Sequence, residues 1–361
     1  MSNPPSSSPL KAKLTIAAIV GLSAIAFAWA GGWLSPGRVS GGEMVDSLQN
    51  NTGKIYPGLR RAHTKGICVT GHFDANGSGS ALSSATLFPA GTVQVIGRFN
   101  TGDSSPYASD AQTLFHGLGL IFFLPDGEQW RMAMDHTPIF PVSNAADFVA
   151  LQVATTPDPT TKKPDKQRIS TYLAAHPETK AFLDYESNTP VPSSFANGTY
   201  YSINAFRFTN ASGQTRLVRW QFEPETPFTA LDKSKLSSLP PNFLFDDIRN
   251  RLSEGPLRWH LILVLANPGD KTDNATIAWT GPHARVDAGT LVLTGSASEQ
   301  EGNCRDYNFD PLILPKGVAK SDDPLLAARS AAYSSSFRRR AKEGPPTVDT
   351  LSLNEKNGGT K

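Results

Sequence analysis

The stretch from residue 323 to residue 342 constrains this chain more than any other. Asp323 suits a helix N-cap and Pro324 the first helical position, while Arg338, Arg339 and Arg340 fall at the far end, where the helix dipole favours cations. A helix is therefore predicted over residues 323–342. Residues four and seven apart share a helix face, so Arg329, Tyr333, Phe337 and Arg340 form one stripe. A phenol ionises only at about pH 10 and makes a poor metal ligand at neutral pH unless nearby positive charge favours the phenolate. Arg329 is placed to supply that charge. Read alone, the same residues also suit a basic surface helix with an incidental tyrosine, so the stripe needs support from elsewhere in the sequence.

The 361 residues are 39% hydrophobic and 18% charged, enough for one large domain with a sizeable core. With 34 basic against 32 acidic side chains the formal charge is +2, and no long basic block is interleaved with aromatics. That balance argues against a nucleic-acid partner. The 30 glycines and 28 prolines call for frequent turns and favour a β-rich architecture.

Lys11 and Lys13 precede a stretch without charge from residue 14 to residue 37, and Ala28-Trp29-Ala30 has the small-residue pattern of a cleavage site. Residues 1–34 are read as an export signal or a membrane anchor. Residues 14–30 are short for a span, and running on to residue 34 reaches spanning length, so the cleaved form and the inner-membrane-anchored form both stay open. A buried helix is the competing reading, opposed by the polar flanks and the lack of an amphipathic face. Flanking charge directs the remainder outward, so the expected location is periplasmic. Residues 35–54, rich in Gly, Ser and Asn, are expected to be a linker, residues 55–345 the folded domain, and residues 346–361 a disordered tail. Cys68 and Cys304 are the only cysteines. They are read as two unrelated small buried residues, with pairing in an oxidising compartment as the alternative. Without CxxC or Cys/His spacing, neither is a candidate metal ligand.

Strands are predicted over residues 62–73, 92–99 and 118–124. The last is a continuous apolar run closed by Pro125-Asp126-Gly127, as for a strand buried on both faces and followed by a hairpin turn. Residues 130–141 read as strand then loop, residues 145–153 as a short helix turning Phe148 inward, and residues 155–166 as an exposed loop. A helix over residues 169–185 is interrupted at His176-Pro177. Residues 200–208 and 215–222 alternate apolar with polar around Asn210-Ala211-Ser212-Gly213, which predicts a hairpin. Residues 243–252 read as a helix, and residues 259–266 and 289–293 as strands.

The second informative segment is Arg60-Arg61-Ala62-His63-Thr64-Lys65-Gly66, followed by Gly71-His72-Phe73. Histidine's unperturbed pKa of about 6.5 suits both taking and returning a proton, although a single histidine is more often structural or solvent-exposed. Taken with the tyrosine helix, in which an arginine, three residues, the tyrosine and further arginines follow in order, this segment resembles the catalase family. Tyrosinate is the proximal haem ligand there. The resemblance implies His63 as the distal base over the iron, Arg60 as the partner of a haem propionate, and Tyr333 as the metal ligand. Arg329 and Arg340 are implied on the same helix, and Arg338 keeps a family offset. Arg98-Phe99 resembles the family strand that ends in Arg-Phe-Ser and implies a further propionate contact, although an arginine closing a strand also suits the surface. Asn100 stands at the serine position, and its amide is able to hydrogen-bond the outer nitrogen of His63.

Thr137-Pro138-Ile139-Phe140, with Phe148 further along, resembles the family's Asn-Asn-Thr-Pro-Ile-Phe-Phe. The first asparagine, which helps bind peroxide in the family, is replaced by Asp135, and His136 follows. A slip of one residue would put Met134 there instead. An ionised carboxylate only accepts hydrogen bonds, whereas a neutral one donates. Asp135 as the cap of a turn is the competing reading. Phe140 is implied above the haem plane and Phe148 along the access route, and both also suit ordinary core aromatics. Ser334-Ser335-Ser336 replaces the family's Asp-Thr after the tyrosine. Tyr201 to Phe208, Arg219-Trp220, Leu291-Val292-Leu293 and Asn308-Phe309-Asp310-Pro311 extend the resemblance across residues 55–345.

The expected fold is α+β: a catalase-like antiparallel β-barrel of about eight strands, with flanking helices and one haem b pocket. With no long arm before His63 and no added domain after the tyrosine helix, the chain resembles the small catalase-related peroxidases, sometimes called minimal catalases. The resemblance implies reduction of hydrogen peroxide or organic hydroperoxides by an organic electron donor, with weak catalase activity. A periplasmic barrel that binds haem or a lipid hydroperoxide without turning it over is the alternative. A cofactor-free β-domain is a third reading, and it leaves the ordered arginines unexplained.

Overall fold

A computed structural model describes residues 9–30 and 38–346 and separates two compact units, one ending at Val39 and one beginning at Ser40. In the first, helix α1 runs over Pro9–Ala30, and its described apolar side chains, among them Leu14, Ile19, Leu22 and Phe27, are exposed. Among the described residues no helix is long and apolar enough to cross a membrane. Residues 31–34 of the expected anchor and residues 347–361 of the expected tail lie outside the described residues.

The second unit is organised by strands β1 (Gly66–Ala75), β2 (Gly91–Thr101), β3 (His116–Phe123), β4 (Gln129–Asp135), β5 (Tyr200–Tyr201), β6 (Phe206–Thr209), β7 (Thr215–Pro224), β8 (Leu257–Leu265), β9 (Arg285–Ser298) and β10 (Val318–Lys320). All pairings are antiparallel, and the order β7-β5-β4-β3-β2-β1-β9-β8 returns to β7, so eight strands close a barrel. Beyond the short β5, β6 continues the pairing with β7, and β10 adds to β6. Closure leaves the eight-stranded ring without a free edge and fills its centre with side chains. That filling is aromatic: Phe73, Phe99, Phe122, Trp130, Phe222 and Trp259 are all fully buried. Each such side chain stabilises the fold by about 1.5–3 kcal/mol.

Strand β3 is buried along nearly its whole length, as its continuous apolar run predicts. One face looks into the barrel. The other is covered by residues 299–311, where Ile96, Ile121 and Phe309 form a second small cluster with Cys68 and Cys304. Those two cysteines are joined as a disulfide, which corrects their reading as unrelated buried residues. Their separation of 236 residues explains why the sequence left pairing open.

Six helices accompany the barrel among the described residues: α2 (Gly41–Thr52), α3 (Ala145–Thr155), α4 (Lys166–Ala175), α5 (Pro177–Asn188), α6 (Phe243–Glu254) and α7 (Pro324–Glu343). Helix α2 corrects the expected linker over residues 35–54. Ser40 and Glu43 form a reciprocal capping box at its start, and Met44 and Val45 are buried. Arg339 of α7 donates to Asp46 Oδ1 at 2.6 Å and to the carbonyl of Gly42 at 3.2 Å, tying α2 to α7. At the start of α7, Asp323 accepts from the Leu325 amide at 2.9 Å, the N-cap role its position predicts.

Candidate active site

Between the outer face of strands β2–β4 and helix α7 lies a cavity of about 470 Å³, to which α2 and α3 also contribute side chains. All nine residues singled out from the sequence line it: His63, Asp135, Arg60, Arg98, Phe140, Phe148, Arg329, Arg340 and Tyr333. Arg338, also at a family offset, is exposed and does not take part.

His63 sits just before β1 with a φ of 54°, a left-handed conformation uncommon outside glycine. Such backbone strain costs on the order of 1–3 kcal/mol and persists only where neighbours enforce it. Here the Thr64 hydroxyl donates to the Arg60 carbonyl at 2.9 Å and the Thr64 amide to the Asp103 carbonyl at 2.8 Å. The Nδ1 of His63 lies 3.1 Å from the Thr101 carbonyl. A carbonyl only accepts, so Nδ1 carries the proton and Nε2 is left with a free lone pair. Burial, and then the charge of Arg98, lower the His63 pKa to about 4, with Asn100 a smaller opposing influence. The imidazole is therefore neutral at pH 7. Gly117, opposite Asn100 on β3, keeps that amide in place, because a Cβ there would stand 2.6 Å from Asn100 Oδ1.

Asp135 ends β4, paired with Gly117 on one side and Tyr201 on the other. Among the described residues no group hydrogen-bonds its carboxyl, so it caps no turn. Burial raises its pKa to about 6 against the pull of Arg329. Met134 lines the cavity as well. His136 does not. Its Nδ1 accepts from the His116 amide at 3.1 Å, and the two rings lie 5.2 Å apart.

From α7, Tyr333 stands beside Arg329. Burial pushes the phenol above its ordinary pKa, and Arg329 pulls the other way. Arg329 is itself fixed by bonds to Asn204 Oδ1 at 2.6 Å and the Ala133 carbonyl at 3.0 Å. At one edge Arg60, Arg98 and Arg340 gather. Arg60 donates to the carbonyls of Cys304 and Tyr307 at 3.2 Å each, and Arg340 to that of Arg305 at 2.6 Å. Beside them lies Glu299, a buried carboxylate that sequence reasoning missed. Nothing in its local sequence marks it, since its partners come from other elements.

The catalase family profile matches residues 43–357, nearly the whole second unit. This chain belongs to the catalase family. It is 34% identical over 328 residues to a catalase-related peroxidase of Synechococcus elongatus, covering 91% of this chain and 94% of that one. A catalase-related peroxidase of Mycolicibacterium paratuberculosis is 31% identical, covering 84% and 96%. Among solved structures, a fungal catalase superposes with a TM-score of 0.71 at 18% identity, covering 82% of this chain and 61% of that one. Catalase A from Saccharomyces cerevisiae gives 0.71 at 17% identity, covering 82% and 64%. These last two likenesses concern the fold, and this chain spans about three-fifths of each. The catalase family implies haem, and the cavity fits one on three counts. Its volume lies within the range of about 300–1,000 Å³ usual for such ligands. A phenol stands on one wall with a neutral imidazole among the other lining residues, and the guanidinium edge suits carboxylates.

Proposed function

We propose that this catalase-family protein is a haem b peroxidase that reduces hydrogen peroxide or organic hydroperoxides with an organic electron donor and releases oxygen from peroxide only weakly. The observation that carries this reading is a neutral His63, with Nδ1 bonded to Thr101, sharing one cavity with Tyr333 and an unpartnered Asp135. Tyr333 would hold the metal, with Arg329 favouring its phenolate, while Arg60, Arg98 and Arg340 would hold the propionates. When bound, haem supplies the redox chemistry that cleaves the peroxide bond. The protein moves the proton. His63 Nε2 takes it from the incoming hydroperoxide and returns it to the departing oxygen, and its pKa of about 4 lets it bind the proton without keeping it. A neutral Asp135 donates a hydrogen bond to the peroxide, the part an asparagine amide plays in the family pattern, and loses that ability on ionising. Apolar lining from Met44, Val45, Leu48 and Phe148 suits an organic tail on the oxidant or donor.

Steady-state assays test the reading. Donor-dependent peroxide consumption should exceed oxygen release, and an excess of oxygen release over donor oxidation overturns it. We further propose that residues 1–34 direct the protein to the periplasm, cleaved as a signal or retained as an inner-membrane anchor through residues 14–34. The uncharged stretch and the Cys68–Cys304 disulfide, a bond that persists in oxidising compartments, support this. Cell fractionation that recovers the protein in the cytoplasm would refute it.

A further inference from the structure

Three guanidinium groups line one edge of the cavity, and one buried carboxylate, Glu299, bonds two of them. Glu299 accepts from Arg60 Nη1 at 2.5 Å, from Arg98 Nε at 2.9 Å and from Arg98 Nη2 at 2.8 Å. Arg340 has no bond to it but lies close enough for their charges to interact. Arg60, Arg98 and Arg340 all line the cavity and Glu299 does not, so the carboxylate backs the arginines from the protein side. Asp306 also interacts with Arg60 and Arg340 but is itself bonded to Arg305, so three cations against Glu299 leave a surplus of two positive charges facing the cavity. A buried surplus of this kind is costly until anions arrive to balance it.

The position of Glu299 is enforced. The disulfide from Cys68 to Cys304 pins its loop to β1, and the Gly302 amide donates to the Ser298 carbonyl at 2.7 Å. On the other side, Arg98 Nη2 also donates to the Thr64 carbonyl at 3.1 Å. Gly66 leaves room for the guanidinium, since a Cβ there would lie 2.3 Å from Arg98 Cζ. Glu299 engages the Nε/Nη2 side of the Arg98 fork, and among the described residues Arg98 Nη1 has no protein partner.

We propose that Glu299 is a positioning residue for the two carboxylates of the porphyrin. It orients Arg60 and Arg98 so that their remaining N–H groups face the cavity, and it sets the surplus charge of that edge to match a dianion. The proposal rests on the haem reading, and its test separates the two. Haem-free full-length protein is titrated with haem and with haem dimethyl ester, whose carboxylates are blocked, and binding is followed by the Soret band, with circular dichroism to establish folding. The natural chain should prefer haem. Glu299→Gln should reduce that preference about tenfold by weakening haem alone, as expected when charge-assisted hydrogen bonds lose their alignment. Glu299→Asp, which keeps the charge but shortens its reach, should fall between the two. It decides the matter if the glutamine variant does not fold. A preference for haem over its ester that is unchanged or increased in the folded variants overturns the proposal and leaves the haem reading standing. If the natural chain takes up neither porphyrin, both fail.

Discussion

The two walls of the cavity are built differently. On one side, Arg329, Tyr333, Phe337 and Arg340 come from a single capped helix, placed by nothing more than its period. On the other, His63 sits outside any regular element at a φ of 54°, and Asp135 is the last residue of its strand. On the helix wall Tyr333 and its arginines fit the pattern that the sequence resemblance implies, whereas on the barrel wall Asn100 and Asp135 depart from the serine and asparagine it implies. A regular helix suits the task of gripping, while a loop and a strand end suit the task of reacting. Changes to Tyr333 on the helix wall should therefore cost the cofactor, and changes to His63 or Asp135 on the barrel wall should cost turnover with the cofactor retained.

The sharpest test of that division is Tyr333→Phe. It should abolish the absorption spectrum of a phenolate-bound haem together with peroxidase activity. His63→Ala should lower kcat/KM about 10²–10⁴-fold while haem content, read from the Soret band, stays that of the natural chain. Loss of haem in this variant would break the comparison. Replacing Cys68 and Cys304 together by serine alters none of His63, Asp135 and Tyr333. It should lower stability by about 2–5 kcal/mol in denaturant titrations without moving the pH dependence of the rate. Smallest is the effect of pH. His63 must be neutral to accept a proton, with a pKa of about 4, and Asp135 must be protonated to donate, with a pKa of about 6. The rate should thus rise through about pH 4 and fall through about pH 6. Asp135→Asn should flatten the upper limb, worth about tenfold for one hydrogen bond, and raise oxygen release.

How much of this was legible in the sequence follows the same division. Helix α7 was readable because its cap, its proline and its stripe all lie within one short stretch, and β3 because a continuous apolar run has few other fates. Helix α2 was not read. Gly41, Gly42, Ser47 and Asn50 make it a weak helix former, and it is held by Arg339 and by burial of Met44 and Val45. Its one local signal was the pair Ser40 and Glu43, spaced as a capping box. The nine cavity residues were identifiable because each lies inside a short motif. Glu299 was not, since Arg98 lies 201 residues away and only the folded barrel brings them together. The raised pKa of Asp135 was equally hidden, because burial sets it and the residue's neighbours in sequence do not.

The cavity draws its imidazole from the beginning of the barrel domain and its phenol from the final described helix. During synthesis the base emerges from the ribosome long before the group that would grip a metal, and β7 must meet β8 before the ring is complete. An interrupted translation product would carry His63 but lack Tyr333 and Arg329. On the haem reading, the metal ligand is thus among the last parts of the cavity to be made, and a complete cavity requires the whole barrel domain.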